Sequence, residues 1–186
     1  MDRNIESYVK RYDFLTPEEC EQTLIELKTV SWGKHRYYNP SAKISHSYEN
    51  DLYVSHTDTK MGEVIKARLW EYIKKYILED NNFSWFNGWN GYTNPRFNKY
   101  PVGTEMRIHS DHIQSMFDGE RKGIPTLSVL GALNDDYKGG ELIMWTDTVM
   151  NLKAGQLIIW PSSFLYPHEV KIVTEGTRYS FVSWVW

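Results

Sequence analysis

The chain has 186 residues, 41% apolar and 15% aromatic, which suits one folded domain with a sizeable core and excludes a disordered chain. A formal net charge of −3 gives no general attraction to nucleic acid or to an anionic membrane surface. The single cysteine, Cys20, excludes an internal disulfide and fits a reducing compartment; with no apolar leader and no membrane-length apolar run, a soluble cytoplasmic protein is expected.

Residues 1–15 read as a short strand or arm carrying Tyr8, Val9, Tyr12 and Phe14. Thr16-Pro17-Glu18-Glu19 is a helix start, with Thr as N-cap, Pro in the first turn and two carboxylates near the positive end of the helix dipole. That helix should turn Cys20, Leu24 and Leu27 inward and end near Thr29, making Cys20 a small buried thiol. Residues 31–58 show no clean period and read as an extended loop with short strands, in which His35 and His46 look like solvated side chains. Over 59–79, Met61, Ile65, Leu69, Tyr72, Ile73, Tyr76 and Ile77 recur at helical steps, and Asp80-Asn81-Asn82 stops the run.

From Phe83 the chain turns β-rich. Strands are expected over 83–90, 94–100, 104–110, 124–134, 141–146, 149–152, 156–160, 167–174 and 177–186, with turns at Asn134–Gly140 and Lys153-Ala154-Gly155. The expected fold is mainly β with N-terminal helices: a double-stranded β-helix, or jelly roll, with two helices backing one sheet. One domain spans 1–186, with 1–82 as helical support and loop and 83–186 as the core.

His109 and Asp111 stand two residues apart, so on a strand they leave one face, about 6–7 Å apart at Cα. His168 supplies a third donor. Two histidines and a carboxylate on one side of a cation leave its other side open, the arrangement of non-haem Fe(II) oxygenases. Arg178, ten residues on in a β-forming run, can clamp a remote carboxylate through both guanidinium nitrogens. A second His-x-Asp, His56-Thr57-Asp58, is set aside because Thr57 or Asp58 is better explained as the cap of the following helix. His112 should sit on the rim, and Glu141 should hold local structure.

The order His109-x-Asp111, His168, Arg178, with Gly139-Gly140-Glu141-Leu142 and Arg-Tyr-Ser-x-Val-x-Trp at the end, resembles the 2-oxoglutarate- and Fe(II)-dependent dioxygenases, most closely their prolyl 4-hydroxylase branch. The resemblance covers about residues 95–186. It implies Fe(II) on His109, Asp111 and His168, 2-oxoglutarate as cosubstrate with its distal carboxylate on Arg178, and ascorbate as a possible reductant. Tyr100 and Asn98 become further donors to the cosubstrate, and Trp184 a pocket wall. Ala132 stands where some of these hydroxylases carry a second tyrosine, leaving Thr126 and Ser128 as substitutes. Related halogenases lack the carboxylate, so Asp111 points to hydroxylation. The implied reaction hydroxylates a prolyl or other amino-acid, peptide or small-molecule substrate and releases succinate and carbon dioxide. A lid with aromatic walls is expected from 31–58 (Arg36, Tyr37, Tyr38) and 85–96 (Trp85, Trp89, Tyr92). Asn98-x-Tyr100-x-x-Gly103 before His109-x-Asp111 also resembles nucleic-acid demethylases of alkylation repair. Those have a second arginine where this chain has Trp184, and the acidic balance argues against a phosphate backbone. From a different class, a jelly roll with a structural metal would need neither the open face nor Arg178.

Overall fold

Thr16 opens α1 (Pro17–Glu26) with a reciprocal cap: its hydroxyl accepts from the Glu19 amide, and the Glu19 carboxylate accepts from the Thr16 amide. The same carboxylate takes Arg68 of α2 (Lys60–Lys74) through two hydrogen bonds of 2.6 and 2.7 Å, so the cap also ties the helices together. The cap of α2 is Thr59, which accepts from the Gly62 amide; Thr57 and Asp58, the expected caps, are exposed before it. A π-helical stretch, Lys75–Asp80, continues α2, and Asn82 ends it at a φ of 52°. This computed structural model describes residues 4–39, 44–86, 91–112 and 124–186.

Among the described residues the strands are β1 (Lys10–Asp13), β2 (Gly33–Lys34), β3 (Tyr37–Asn39), β4 (Ile44–His46), β5 (Tyr53–Ser55), β6 (Arg96–Pro101), β7 (Met106–His109) and β8 (Leu127–Ala132), followed by β9 (Lys138–Gly139), β10 (Leu142–Met144), β11 (Thr148–Met150), β12 (Gln156–Pro161), β13 (His168–Val170), β14 (Val173–Glu175) and β15 (Thr177–Val185). A seven-stranded sheet runs β1-β12-β8-β15-β6-β5-β2 and a four-stranded sheet runs β11-β10-β13-β7; their pairings are antiparallel. This is the expected jelly roll with two helices on one sheet.

Period-two alternation divides the large sheet into two chemistries. Phe97, Val129, Leu157, Ile159 and Phe181 face outward and pack with Ile65, Leu69 and Ile73 of α2 and Cys20 of α1. Tyr100, Leu130, Ile158, Trp160, Val182 and Trp184 face inward and meet Met106, Leu142, Met144 and Val170 of the small sheet. The site lies on that inner layer.

Several elements differ from the sequence expectation. Phe83–Phe86 is a turn closed by the Phe86 amide on the Phe83 carbonyl, not a strand, and 87–90 lie outside the described residues. The 167–174 run divides into β13 and β14, and β14 leaves the small sheet to pair with β9, which the sequence did not show. Within 31–58, β2 and β5 extend the large sheet beyond β6. No helix among the described residues is long and apolar enough to cross a membrane.

Gly131 is where the outer layer is tightest: an added Cβ would sit 2.1 Å from the Phe181 ring. Gly131→Ala should cost about 1–3 kcal/mol by overpacking, measured by urea unfolding. Combining it with Phe181→Leu should recover part of that loss, and strictly additive penalties would contradict this packing.

Candidate active site

The antiparallel register of β7 and β13 sets His109 opposite His168. Asp111 follows two residues after His109, past the end of β7, and is buried. The His109 Nε2 lies 3.5 Å from Asp111 Oδ1, and the His168 Nε2 lies 3.9 Å from Asp111 Oδ2. The ligand atoms of all three are within 4.8 Å of one another, a spacing one cation can bridge. Among the described residues this is the one cluster of three or more such side chains.

Each imidazole is oriented from behind. The Nδ1 of His109 is 2.8 Å from the Arg107 carbonyl, and that of His168 is 3.1 Å from the Tyr166 carbonyl. A carbonyl only accepts, so Nδ1 carries the proton and Nε2 keeps its lone pair for a metal. Burial pulls the His168 pKa down to about 4 against the opposing charge of Asp111, so the ring is neutral at pH 7. Burial alone would raise the Asp111 carboxyl, but the neighbouring His109 and His168 rings and the Ser128 hydroxyl together hold it below the usual carboxylate range. Ser128 Oγ donates to Asp111 Oδ2 at 2.6 Å and is itself 2.7 Å from Ser162 Oγ. The donor set, two imidazoles that present Nε2 and one ionised carboxylate, therefore fits a divalent iron.

Arg178 lies on the same inner face, 3% exposed, opposite Tyr100 in the β15–β6 register. Its Nη1 donates to Ser180 Oγ at 3.2 Å, and its guanidinium carbon is 4.8 Å from the centre of the Tyr100 ring. No described carboxylate pairs with it. A buried cation with neutral partners only is costly to keep without a counter-charge. The Gly139-Gly140 turn makes room for it, since a Cβ on Gly140 would meet Arg178 Cδ at 3.1 Å and one on Gly139 the Ile172 carbonyl at 2.2 Å. Both glycines have positive φ, 69° and 64°.

A cleft between the sheets is lined by His109, Asp111 and His168 together with Asn98, Tyr100 and Trp184. Ser128, a sequence candidate for the distal carboxylate, is instead bonded to Asp111, and Thr126 bonds the Val185 carbonyl. His112 is exposed, 6.2 Å from the Phe164 ring. The Glu141 side chain is exposed; its carbonyl accepts from the Lys171 amide.

The aromatic wall expected from 85–96 is elsewhere. Trp85 is largely exposed beside a separate apolar cleft with Ile77, Phe83 and Phe86, and Tyr92 bonds the Lys66 carbonyl on α2. Trp89 and the Tyr38 side chain lie outside the described residues. Tyr37 is half-buried, its hydroxyl donating to Met106 Sδ at 3.4 Å. His35 was expected in solvent and is buried, T-shaped against Tyr37 with ring centres 4.7 Å apart. Arg96, on the inner face of β6 and lining the cleft, had no signal beyond its even step from Asn98 and Tyr100.

The family described as the 2OG-Fe(II) oxygenase superfamily matches residues 95–186. A protein named PKHD-type hydroxylase from Stenotrophomonas maltophilia strain R551-3 is 41% identical over 101 residues, 50% of this chain and 43% of that protein. Another of that name from Rippkaea orientalis is 32% identical over 94 residues, 48% of this chain and 40% of that one. The alignments thus span less than half the length of these curated relatives. Among solved structures, a Pseudomonas putida prolyl-4-hydroxylase superposes with a TM-score of 0.65 at 19% identity, covering 95% of this chain and 91% of that one. A Trichoplax adhaerens prolyl hydroxylase in complex with a hypoxia inducible factor oxygen degradation domain peptide gives 0.69 at 20% identity, covering 97% and 84%. At such identities these two likenesses establish the fold.

The buried histidines set the acid behaviour of the metal-free protein. His168 is held at about 4 and His35 at about 3, each chiefly by burial, while in the unfolded chain both protonate near 6.5. The unfolded state therefore binds more protons below pH 6.5, and stability present at neutral pH is lost as pH falls from about 6.5 to about 4. His168 alone should contribute up to about 3 kcal/mol to that loss. Urea unfolding of chelator-treated protein should show it, and His168→Gln should flatten the pH slope; an unchanged slope would contradict the burial argument.

Proposed function

We propose that this chain, which belongs through residues 95–186 to the 2OG-Fe(II) oxygenase superfamily, is an Fe(II)- and 2-oxoglutarate-dependent dioxygenase that hydroxylates a prolyl or other amino-acid or peptidyl substrate. The observation that carries this reading is the pairing in one inner layer of a two-histidine, one-carboxylate cluster with a buried guanidinium that lacks an anion. A structural metal site would need only the first.

His109, Asp111 and His168 would hold the iron on one side and leave the other open to cosubstrate and oxygen. Bound iron with 2-oxoglutarate supplies the oxidising power, the keto acid leaving as succinate and carbon dioxide. Arg178 receives the distal carboxylate by a charge-assisted fork, with Tyr100 flanking it and Asn98 two residues along the same strand face. Ser128, braced by Ser162, holds the Asp111 carboxylate in position and keeps it ionised. Trp160 stacks edge-on to His168 at 5.0 Å between ring centres and excludes water behind that ligand. The hydroxylase names of the relatives and the prolyl hydroxylase identity of the fold neighbours support an amino-acid or peptidyl substrate by analogy. Nucleic-acid demethylation is disfavoured by Trp184 in place of a second arginine and by the net charge of −3.

Succinate release from Fe(II), 2-oxoglutarate and oxygen, followed over prolyl peptides, free amino acids and methylated oligonucleotides, tests the proposal. Turnover should vanish in Asp111→Ala and in His168→Ala. It should persist in Asp58→Ala, because Asp58 is exposed and accepts only a 3.4 Å hydrogen bond from Asn94. Retained turnover in Asp111→Ala with loss in Asp58→Ala would move the metal to the other His-x-Asp and end this assignment.

A further inference from the structure

The cleft holds a second cation that the iron and the keto acid leave unanswered. Arg96 lies on the inner face of β6, lines the same cleft as His109, Asp111 and His168, and is half-buried. Its Nε donates to Asn98 Oδ1 at 3.2 Å, and its guanidinium carbon stands 4.8 Å from the centre of the Trp184 ring. No described carboxylate is within ion-pair distance. The groups whose charges act on it are Tyr100, Asp111 and Tyr37, with His35 and His56 on the repulsive side. Its terminal nitrogens, the pair that matches a carboxylate, bond to no described residue.

Register separates this cation from Arg178. Arg178 is opposite Tyr100 and Arg96 is opposite Val182, four residues along the strand. At about 3.3 Å per residue that is about 13 Å between their backbone rows, and the two guanidinium groups lean on different rings, Arg178 on Tyr100 and Arg96 on Trp184. The charge balance agrees. A divalent iron and Arg178 would be balanced by Asp111 and the two carboxylates of 2-oxoglutarate, so Arg96 would remain as one surplus positive charge, half removed from water and without a carboxylate partner among the described residues. Within range of the Arg96 charge, though not on the cleft wall, His35 is nine-tenths buried and its Nδ1 has no hydrogen-bond partner among the described residues. Burial, reinforced by the Arg96 charge, keeps that ring neutral, at about 3, so it can hydrogen-bond without adding charge.

We infer that Arg96 is a specificity-determining subsite that receives a carboxylate of the primary substrate on the Trp184 side of the cleft. The inference rests on the dioxygenase function proposed for this site and narrows its substrate class to acidic molecules. The carboxylate has two sources, the α-carboxylate of a free amino acid or an acidic side chain in a peptide.

The test loads the protein anaerobically with Fe(II) and 2-oxoglutarate and follows the visible absorption of the bidentate keto-acid chelate. It titrates L-amino acids against their carboxamides, and acetyl-Pro-Glu-amide against acetyl-Pro-Gln-amide. In at least one pair the carboxylate member should perturb the band at about ten-fold to hundred-fold lower concentration than the amide. Arg96→Gln should erase that preference while still forming the 2-oxoglutarate band, and Arg96→Lys should restore part of it. The responding pair identifies the source. Amides binding as well as carboxylates, no response to any carboxylate, or a preference surviving in Arg96→Gln would each overturn the inference alone. A wild-type protein that forms no chelate band would overturn the dioxygenase function itself and this inference with it.

Discussion

A guanidinium buried without a counter-charge is the constraint around which the inner layer is built. Removing an unpaired charge from water costs several kcal/mol even after relaxation, and the described partners of Arg178, the Ser180 hydroxyl and Tyr100, are both uncharged side chains. The protein nevertheless makes room for it. Two consecutive glycines at positive φ let the chain pass where side chains would collide with Arg178 and with the backbone of 172. The β15–β6 register then sets Tyr100 beside it. Such an arrangement is costly unless an anion meets the guanidinium, and the proposed dicarboxylate cosubstrate would supply one.

That cluster follows the same rule, that a buried group takes whichever charge state its neighbours can support. His168 is neutral because burial disfavours its charged form, and the tautomers of both histidines follow from backbone carbonyls at 166 and 107. Asp111 stays ionised in a dry place because two serines and two imidazoles stand around it. The alternation of the large sheet makes both sites possible. Outward residues bind the helices and supply cohesion, so inward positions on the same strands are released to carry Arg96 and Asn98 on the cleft wall and, by register, Arg178 and Ser128. Phe181 lies between Ser180 and Val182, and Phe97 between Arg96 and Asn98, so packing and chemistry interleave residue by residue.

The parts of this architecture legible in the sequence are those encoded by local period or fixed spacing. The two helices follow from a cap signature and a three-to-four-residue apolar step, and the convergence of His109, Asp111 and His168 from an i, i+2 pair plus a distant histidine ahead of an arginine-bearing strand. What could not be read depends on long-range pairing. Nothing local says that Gly33–Lys34 and Tyr53–Ser55 extend the large sheet, or that 173–175 leaves β13 to join 138–139. Residues 83–86 are aromatic enough for a strand yet turn, because Phe83 closes back on the Ile77 carbonyl at the end of the π-helical stretch. Ser128 has the right face for the cosubstrate, but only the β8–β12 pairing shows that it meets Ser162 and Asp111. His35 and Arg96 sit in polar contexts that read as solvent-facing until the sheets close over them.

The central claim, that Arg178 holds the distal carboxylate of a keto-acid cosubstrate, is tested most directly by calorimetric titration of the anaerobic Fe(II) protein with 2-oxoglutarate and with pyruvate, which lacks that carboxylate. Wild-type protein should bind 2-oxoglutarate far more tightly. Arg178→Ala should weaken it by about ten-fold to a few thousand-fold, for a lost charge-assisted fork of roughly 1.5–3 kcal/mol rising to about 5 kcal/mol where the carboxylate is stranded. Pyruvate affinity should hardly change. If both keto acids lose affinity equally, Arg178 shapes the cleft without binding the cosubstrate, and the inner layer is not organised around a bound anion.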